Sequence, residues 1–185
     1  MPKLPTSAVG VRTLVAGALC FAALFSPAQG RDVGPADAAQ VKAAFILNFL
    51  KFVEWPDAAT PGAPITIVAV GDDELGAVLT KAATGQSFHG RTIEVRPATR
   101  VADAAPVHLL FIGGSQARNL AGILRTVEGR PVLTVGDTEG YGHAGVILNL
   151  YTFNQRVGIE ANTTAAARAG LRLSSQLLRL ARIVG

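Results

Sequence analysis

Apolar residues along this chain fall into short blocks whose spacing predicts an alternation of strands and helices. Three blocks are continuous and of strand length: Ile65–Val70, His108–Ile112 and Pro131–Val135. A fourth block, Thr92–Arg96, alternates apolar and polar side chains, as a half-buried strand does. Helical spacing runs from about Asp73 to Ala83 and from Ser115 to about Val127. Continuous apolar strands joined through helices predict a mostly parallel sheet that is covered on both faces.

The segment Val41–Pro56 has a different pattern, because it is apolar on nearly every side of a predicted helix. Its polar positions that could face water are Lys42, Asn48, Lys51 and Glu54. Such a helix must be buried by its own domain, by a partner chain or by lipid. About 14 residues are too few to span a bilayer. Trp55 ends the helix before Pro56, and it either caps the core or anchors an interface.

The last third of the chain departs from the parallel pattern. Gly145–Tyr151 and Arg156–Ala161 flank Thr152–Gln155, which is typical of a hairpin with a four-residue turn. Asn162 or Thr163 then caps a predicted long helix that runs to about Val184. Four arginines share one face of that helix: Arg168, Arg172, Arg179 and Arg182. They form either a solvated face or a patch for an acidic partner or an anionic membrane surface.

These elements together predict one fold class. It is an α/β, Rossmann-like three-layer domain, with a mostly parallel sheet, a C-terminal antiparallel hairpin and a long C-terminal helix. The 155 residues that follow residue 30 are enough for a single domain with its own core.

The first thirty residues have the pattern of a cleaved signal peptide. Lys3 and Arg12 supply the positive start, and an apolar run extends from Thr13 to Phe25. Ala28-Gln29-Gly30 supplies a small-x-small cleavage site. We therefore expect export to the periplasm of a Gram-negative bacterium, with residues 31–185 forming the mature domain. Without Lys3 and Arg12 the formal charge falls from +4 to +2, and no basic tract suggests nucleic-acid binding. The only cysteine, Cys20, leaves with the signal, so packing alone must hold the mature fold.

Glycine with Asp or Ser follows three of the predicted parallel strands. Asp72, Ser115 and Asp137 lie at these carboxyl ends, where ligands bind in open α/β sheets. They define a candidate ligand crevice. The alternative is that the glycines turn the chain and that Asp and Ser cap helices. The chain has no G-x-G-x-x-G or Walker pattern, and the carboxylates would repel phosphate.

Little in the sequence indicates catalysis. The three histidines, His89, His108 and His143, lie in separate predicted elements, and no zinc-binding pattern includes them. Ser115 lacks the G-x-S-x-G context of an activated serine. We expect neither an enzyme nor a cofactor or metal.

Five segments together resemble the YfiR family of exported bacterial proteins. They are Lys42–Pro56, Gly90–Val95, His108–Ile112, Gly145–Leu150 and Ala167–Ala181. The resemblance extends from about residue 36 to 184, and its opening and closing segments are the most specific. Several relatives carry a cysteine just before the histidine of the central strand, where this chain has Val107.

The resemblance implies a periplasmic regulator that dimerises. Such proteins bind the periplasmic sensor part of an inner-membrane diguanylate cyclase of the YfiN type and hold it inactive, which lowers cyclic di-GMP and opposes biofilm formation. The alternative is a periplasmic sensor that binds a small ligand and acts on another membrane signalling protein. A homodimer is also expected because the first helix has more apolar surface than one packing face covers.

We predict that the partner-binding surface lies on the C-terminal hairpin and helix. Its predicted residues are Asn154, Arg156, Glu160, Arg168 and Arg172. Arg156 and Glu160 share one side of their predicted strand, so they could present a pair of charges to a partner. The alternative is that such charges form only a salt bridge within the sheet.

Overall fold

Eight of the ten described strands form one mixed sheet. The computed structural model describes residues 35–56, 63–98, 106–153 and 156–185. The strands are β1 (Val53–Glu54), β2 (Ile65–Val70), β3 (Ser87–Phe88), β4 (Arg91–Pro97), β5 (Leu109–Ile112), β6 (Leu133–Gly136), β7 (Leu148–Phe153), β8 (Arg156–Asn162), β9 (Arg172–Leu173) and β10 (Ala181–Val184). The α-helices are α1 (Pro35–Phe49), α2 (Asp73–Ala83), α3 (Leu120–Val127), α4 (Thr163–Arg168) and α5 (Ser175–Leu178).

The strand order is β10-β8-β7-β6-β5-β2-β4-β3, with β1 and β9 paired separately. Neighbours from β7 to β4 are parallel, whereas β7 with β8 and β4 with β3 are antiparallel. The predicted α/β class, its parallel centre and its antiparallel hairpin are therefore confirmed. The predicted signal segment, residues 1–30, lies outside the described residues. No helix in the described ranges is long and apolar enough to cross a membrane.

Side chains that alternate along the central strands divide the core into two clusters. Ile67 and Ala69 of β2 belong to one cluster, while Val68 and Val70 belong to the other. The first cluster includes residues of α1 and α2, and the second includes Leu120 and Val127 of α3. Because both faces of these strands are covered by helices, the strands read as continuous apolar runs in the sequence.

The first helix ends earlier than the sequence predicts. It stops at Phe49, and a 3₁₀ turn over Leu50–Phe52 leads into β1. β1 pairs antiparallel with β9, and the amide of Ser174 donates to the carbonyl of Phe52 at 2.8 Å. Pro56 disfavours helix in the residue before it, so an extended segment with a strand partner replaces the last helical turn.

Most of the apolar surface of α1 is covered within the chain. Ala43, Ile46 and Phe49 are buried in the first cluster, and Phe45 packs against it. Val41 is 40% exposed. The surplus apolar surface on this helix is therefore smaller than the sequence suggests.

The predicted long C-terminal helix is wrong. Residues from Thr163 onward form two short helices and two strands, because Gly170 takes a φ of +70° and ends the helical turn after α4. β10 then pairs in parallel with Ile159–Asn162 of β8. This pairing satisfies backbone groups that would otherwise stay open on that edge. The four arginines consequently lie on different elements and not on one helix face.

Two loops that follow strands approach each other so closely at Gly113 that any side chain at this position should destabilise the fold. A Cβ at Gly113 would lie 2.5 Å from the carbonyl oxygen of Gly71, whereas a Cβ at Gly122 in α3 meets nothing within 4 Å. We predict that Gly113→Ala lowers the free energy of unfolding by about 1–3 kcal/mol. Gly122→Ala should raise it by up to about 1 kcal/mol, since alanine favours helix. Urea denaturation of both variants checks this, and equal effects would contradict it.

Candidate functional site

The residues of the predicted ligand crevice bond within the chain. Asp72 caps α2, because its Oδ1 accepts a hydrogen bond from the amide of Leu75 at 2.9 Å. The Ser115 hydroxyl donates to the carbonyl of Gly71 at 2.8 Å. The Asp72 contact is the one that the capping interpretation predicts, whereas the Ser115 hydroxyl joins two loops and caps no described helix.

Asp137, the third crevice residue, forms an ion pair with α1. Its Oδ2 lies 2.6 Å from the Nζ of Lys42. Lys42, which the helical pattern assigned to water, thus ties the first helix to the carboxyl end of β6. Each of the three crevice residues therefore has a structural role in the described chain.

The three histidines do not converge. His108 is half-buried, and its Nδ1 accepts from the amide of Thr66 at 3.1 Å. Burial, together with the nearby charge of Arg91, lowers the pKa of His108 below its usual value. His89 packs edge-on against Phe88, with ring centroids 4.2 Å apart. Among the described residues, no group of three or more His, Cys, Asp or Glu side chains is arranged to hold a metal ion.

A row of polar residues crosses the last third of the sheet. Strand register places Gly136, Asn149, Glu160 and Arg182 side by side on β6, β7, β8 and β10. The Asn149 amide donates to Glu160 Oε2 at 2.9 Å and to the carbonyl of Thr138 at 2.9 Å. The guanidinium of Arg182 donates to Glu160 Oε1. Gly136 leaves the room that Asn149 needs, because a Cβ there would lie 3.1 Å from Asn149 Oδ1.

This row keeps the Glu160 carboxylate ionised. Burial alone would raise its pKa, but hydrogen bonds from Asn149 and Arg182 and the charges of Arg182 and His143 outweigh burial. The pKa of Glu160 consequently lies below its ordinary value. Asn149 Oδ1 is buried without a hydrogen-bond partner in the described structure.

The structure corrects the predicted role of Glu160. Only 3% of Glu160 is exposed, and Asn149 and Arg182 already bind its carboxylate. It therefore belongs to the interior and cannot share an exposed charge pair with Arg156. The sequence reasoning missed this because a carboxylate on an alternating strand is normally solvated, and its cationic partner lies 22 residues away.

The other predicted partner-binding residues have different placements. Arg168 is exposed at the end of α4, and Arg172 is exposed in β9, with its Nε 3.5 Å from Glu54 Oε2. Arg156 begins β8 opposite Phe153, and its side chain lies outside the described part of the structure. Asn154 lies outside the described residues altogether.

The outer strand β10 and the two residues before it present a mixed apolar and basic surface that sequence reasoning assigned to a helix. Leu180 and Ile183 are 70% and 50% exposed, which is unusual for large apolar side chains. The Arg182 guanidinium lies 4.8 Å from the centre of the Tyr151 ring. That ring extends over Gly158, where a Cβ would collide with it. We call Arg179, Leu180, Arg182 and Ile183 the C-terminal edge surface.

Trp55 forms part of the hydrophobic core. It packs against the first hydrophobic cluster and is only partly exposed. Its indole Nε1 is buried and has no hydrogen-bond partner among the described residues. The first of the two roles considered for this residue, a cap on the core, is the one that its packing supports.

Comparison with known proteins identifies one family. The family described as YfiR/HmsC-like matches residues 39–182. The match therefore includes most of α1, all of β1 to β9 and the first two residues of β10.

Two solved structures show the same general fold at low sequence identity. One is a conserved domain protein from Vibrio cholerae O1 biovar El Tor, at 15% identity and a TM-score of 0.52, with 80% of this chain covered. The other is an ABC domain in complex with L-Trp from Streptococcus pneumoniae, at 13% identity and a TM-score of 0.51, with 79% of this chain covered. In each case the match spans 60% of the other chain.

The Glu160 ion pair should make stability depend on pH. Because the folded pKa is depressed, the pair contributes stability above the ordinary glutamate pKa, and that contribution is lost as pH falls through the folded value. We predict that Arg182→Met lowers the melting temperature at pH 7 by roughly 3–6 °C. The deficit should shrink as the pH falls through the folded pKa of Glu160, because the protonated carboxyl no longer needs the guanidinium.

Arg179→Met is the matched control, because Arg179 is exposed and its side chain bonds to no other described residue. Its melting temperature should stay within about 1 °C of the wild-type value. Differential scanning calorimetry across this pH range measures both variants. A deficit for Arg182→Met that is independent of pH would contradict the assignment.

Proposed function

Because the chain belongs to the YfiR/HmsC-like family, we propose that it binds the periplasmic part of an inner-membrane diguanylate cyclase and holds that enzyme inactive. Membership of this family indicates a periplasmic regulator of diguanylate cyclase systems. The direct binding, the inhibition and the resulting fall in cyclic di-GMP are the proposal. The chain acts by binding and carries out no reaction of its own.

The energetic requirement for such a regulator is modest. A repressor needs only to bind one conformation of its target better than the other. A difference of about 3 kcal/mol shifts the equilibrium between the two conformations about a hundredfold. A few exposed apolar and arginine side chains on a rigid support can supply this difference.

We place the partner-binding surface at the open side of the C-terminal hairpin. β10 covers only Ile159–Asn162 of β8, so Arg156 begins a stretch of β8 that no described strand covers on this side. The exposed side chains of Leu180 and Ile183 lie on the adjoining segment. The proposed contacts are still Asn154, Arg156, Arg168 and Arg172. Glu160 is buried and is not a contact, but its carboxylate holds Arg182 in position. The observation that carries the proposal is the exposed C-terminal edge surface on a chain of this family.

A sensor of a small ligand is the second candidate function. One structure of similar fold was determined in complex with L-Trp. Ligand binding and partner binding could also coexist, because a ligand that favours one conformation of a repressor alters its affinity for the partner.

Arg156→Glu tests the proposed surface. It reverses one charge at the hairpin, so repression should fail and cyclic di-GMP should rise to the level of a strain that lacks the protein. Its melting temperature should stay nearly unchanged, because Arg156 is the first residue of β8 and pairs only with the last residue of β7. Cyclic di-GMP is measured in extracts of the native host together with the abundance of the variant.

Arg118→Glu is the control for charge alone. Arg118 is exposed in the segment before α3, and its side chain bonds to no other described residue. This variant should repress normally. Normal repression by Arg156→Glu, or its loss only through unfolding, would remove the hairpin from the proposed surface.

We also propose that the mature protein is a homodimer. Val41 on α1 is 40% exposed, apart from the proposed partner-binding surface, and an isologous interface would cover this residue in both copies. Light scattering on residues 31–185 should give about twice the chain mass. If α1 forms the interface, Val41→Lys should give monomers and Ile183→Lys should not. A clean monomer for the wild-type protein at high concentration would contradict the proposal.

A further inference from the structure

A cavity of about 470 Å³ lies at the opposite end of the sheet from the predicted crevice. It is found where β6 and β7 begin and β8 ends, between α3, the loop around His143 and α4. The predicted crevice, by contrast, lies where β2, β5 and β6 end. The volume is within the range of about 300–1,000 Å³ that is typical of small-molecule sites.

The floor of this cavity is apolar and closely packed. Val127, Val132 and Ile147 are buried there. Thr134 is also buried, and its oxygen accepts from the amide of Ile147 at 2.9 Å. Asn162, the other buried polar residue of the lining, donates to the carbonyl of Gly142 and accepts from the amide of Ala165.

Small residues create the space. Ala165 and Ala169 lie one helical turn apart, in α4 and at its C-terminal cap, and both line the cavity. Ala121 of α3 and Ala144 line it from other sides. A leucine at any of these positions would occupy part of the volume, which provides a direct way to close the cavity.

The charged side chains of the rim are those of two arginines and one glutamate. Arg125 and Arg168 line the cavity together with Glu128, and His143 and Gly185 also line it. Arg125 and Arg168 are exposed, and neither side chain forms an ion pair or a hydrogen bond with another described residue. The two guanidinium groups beside apolar side chains complement a ligand that has an anionic group and an apolar body.

We propose that this cavity binds a small amphipathic carboxylate. The apolar body of the ligand packs against Val127, Val132 and Ile147, and Arg125 and Arg168 bind its carboxylate. This inference stands apart from the proposed regulatory function, because it requires only the purified chain and predicts binding whether or not a cyclase is the partner.

Calorimetric titration of residues 31–185 with octanoate, 3-phenylpropionate and indole-3-propionate tests the proposal. At least one of these carboxylates should bind saturably, at one site per chain, with a Kd below about 1 mM. The matching neutral amide should bind at least about tenfold more weakly, because it cannot use the guanidinium groups. Failure of all three carboxylates at this concentration, or equal affinity for acid and amide, would overturn the proposal.

Variants locate the binding. The double substitution Arg125→Gln and Arg168→Gln should weaken carboxylate binding at least about tenfold, and Ala169→Leu should weaken it by filling the cavity. The control pair Arg118→Gln and Arg130→Gln removes the same charge from other exposed positions and should bind normally. Circular dichroism spectra of the variants without ligand should match the wild-type spectrum. Unchanged affinity in both cavity variants would overturn the site.

Discussion

The buried carboxylate of Glu160 is the interaction on which the C-terminal half of the fold depends. A charge removed from water is costly unless hydrogen bonds and an opposite charge replace the lost hydration. Asn149 donates from β7 and Arg182 donates from β10. Arg182 lies on β10, so the fold needs this last strand. Without β10, the Glu160 carboxylate of β8 would be buried in the sheet without an opposite charge. The same pairing fixes the position of the exposed apolar side chains on the outer strand.

A second constraint joins the two ends of the domain. β1 follows directly on the first helix, and it pairs with β9 in the C-terminal segment. The amide of Ser174 also bonds to Phe52. The opening and closing segments that carry the strongest family resemblance are therefore neighbours in space. A change in either segment therefore acts on the same two-stranded unit.

The central strands could be predicted because their sequence signal is local. The boundaries of β2 agree with the apolar block Ile65–Val70, and α2 begins and ends where the capping residue and spacing indicate. The region after Asn162 could not be predicted in this way. Its helical spacing is real, but the positive φ of Gly170 and the hydrogen bonds that β8 offers to β10 outweigh that spacing. Strand pairing over such a distance is not visible in a local pattern.

The candidate sites also divide into features with a local sequence signal and features that depend on distant residues. The capping role of Asp72 follows from its position after a strand, and the structure shows that cap. Ser115 donates to the carbonyl of Gly71 and caps no described helix. The burial of Glu160 depends on a partner in another strand, so its predicted exposure was wrong. The cavity between α3 and α4 had no sequence signal either, because it results from small side chains on elements that meet only in the folded chain.

Recovery of the membrane partner from the native host tests the central claim most directly. The tagged protein is cross-linked in intact cells and purified from the solubilised envelope, and the proteins that come with it are identified by mass spectrometry. A regulator of the proposed kind should bring with it an inner-membrane protein that has a cytoplasmic diguanylate cyclase domain, and Arg156→Glu should recover much less of it. Recovery of no such cyclase, or of a kinase in its place, would contradict the proposed function.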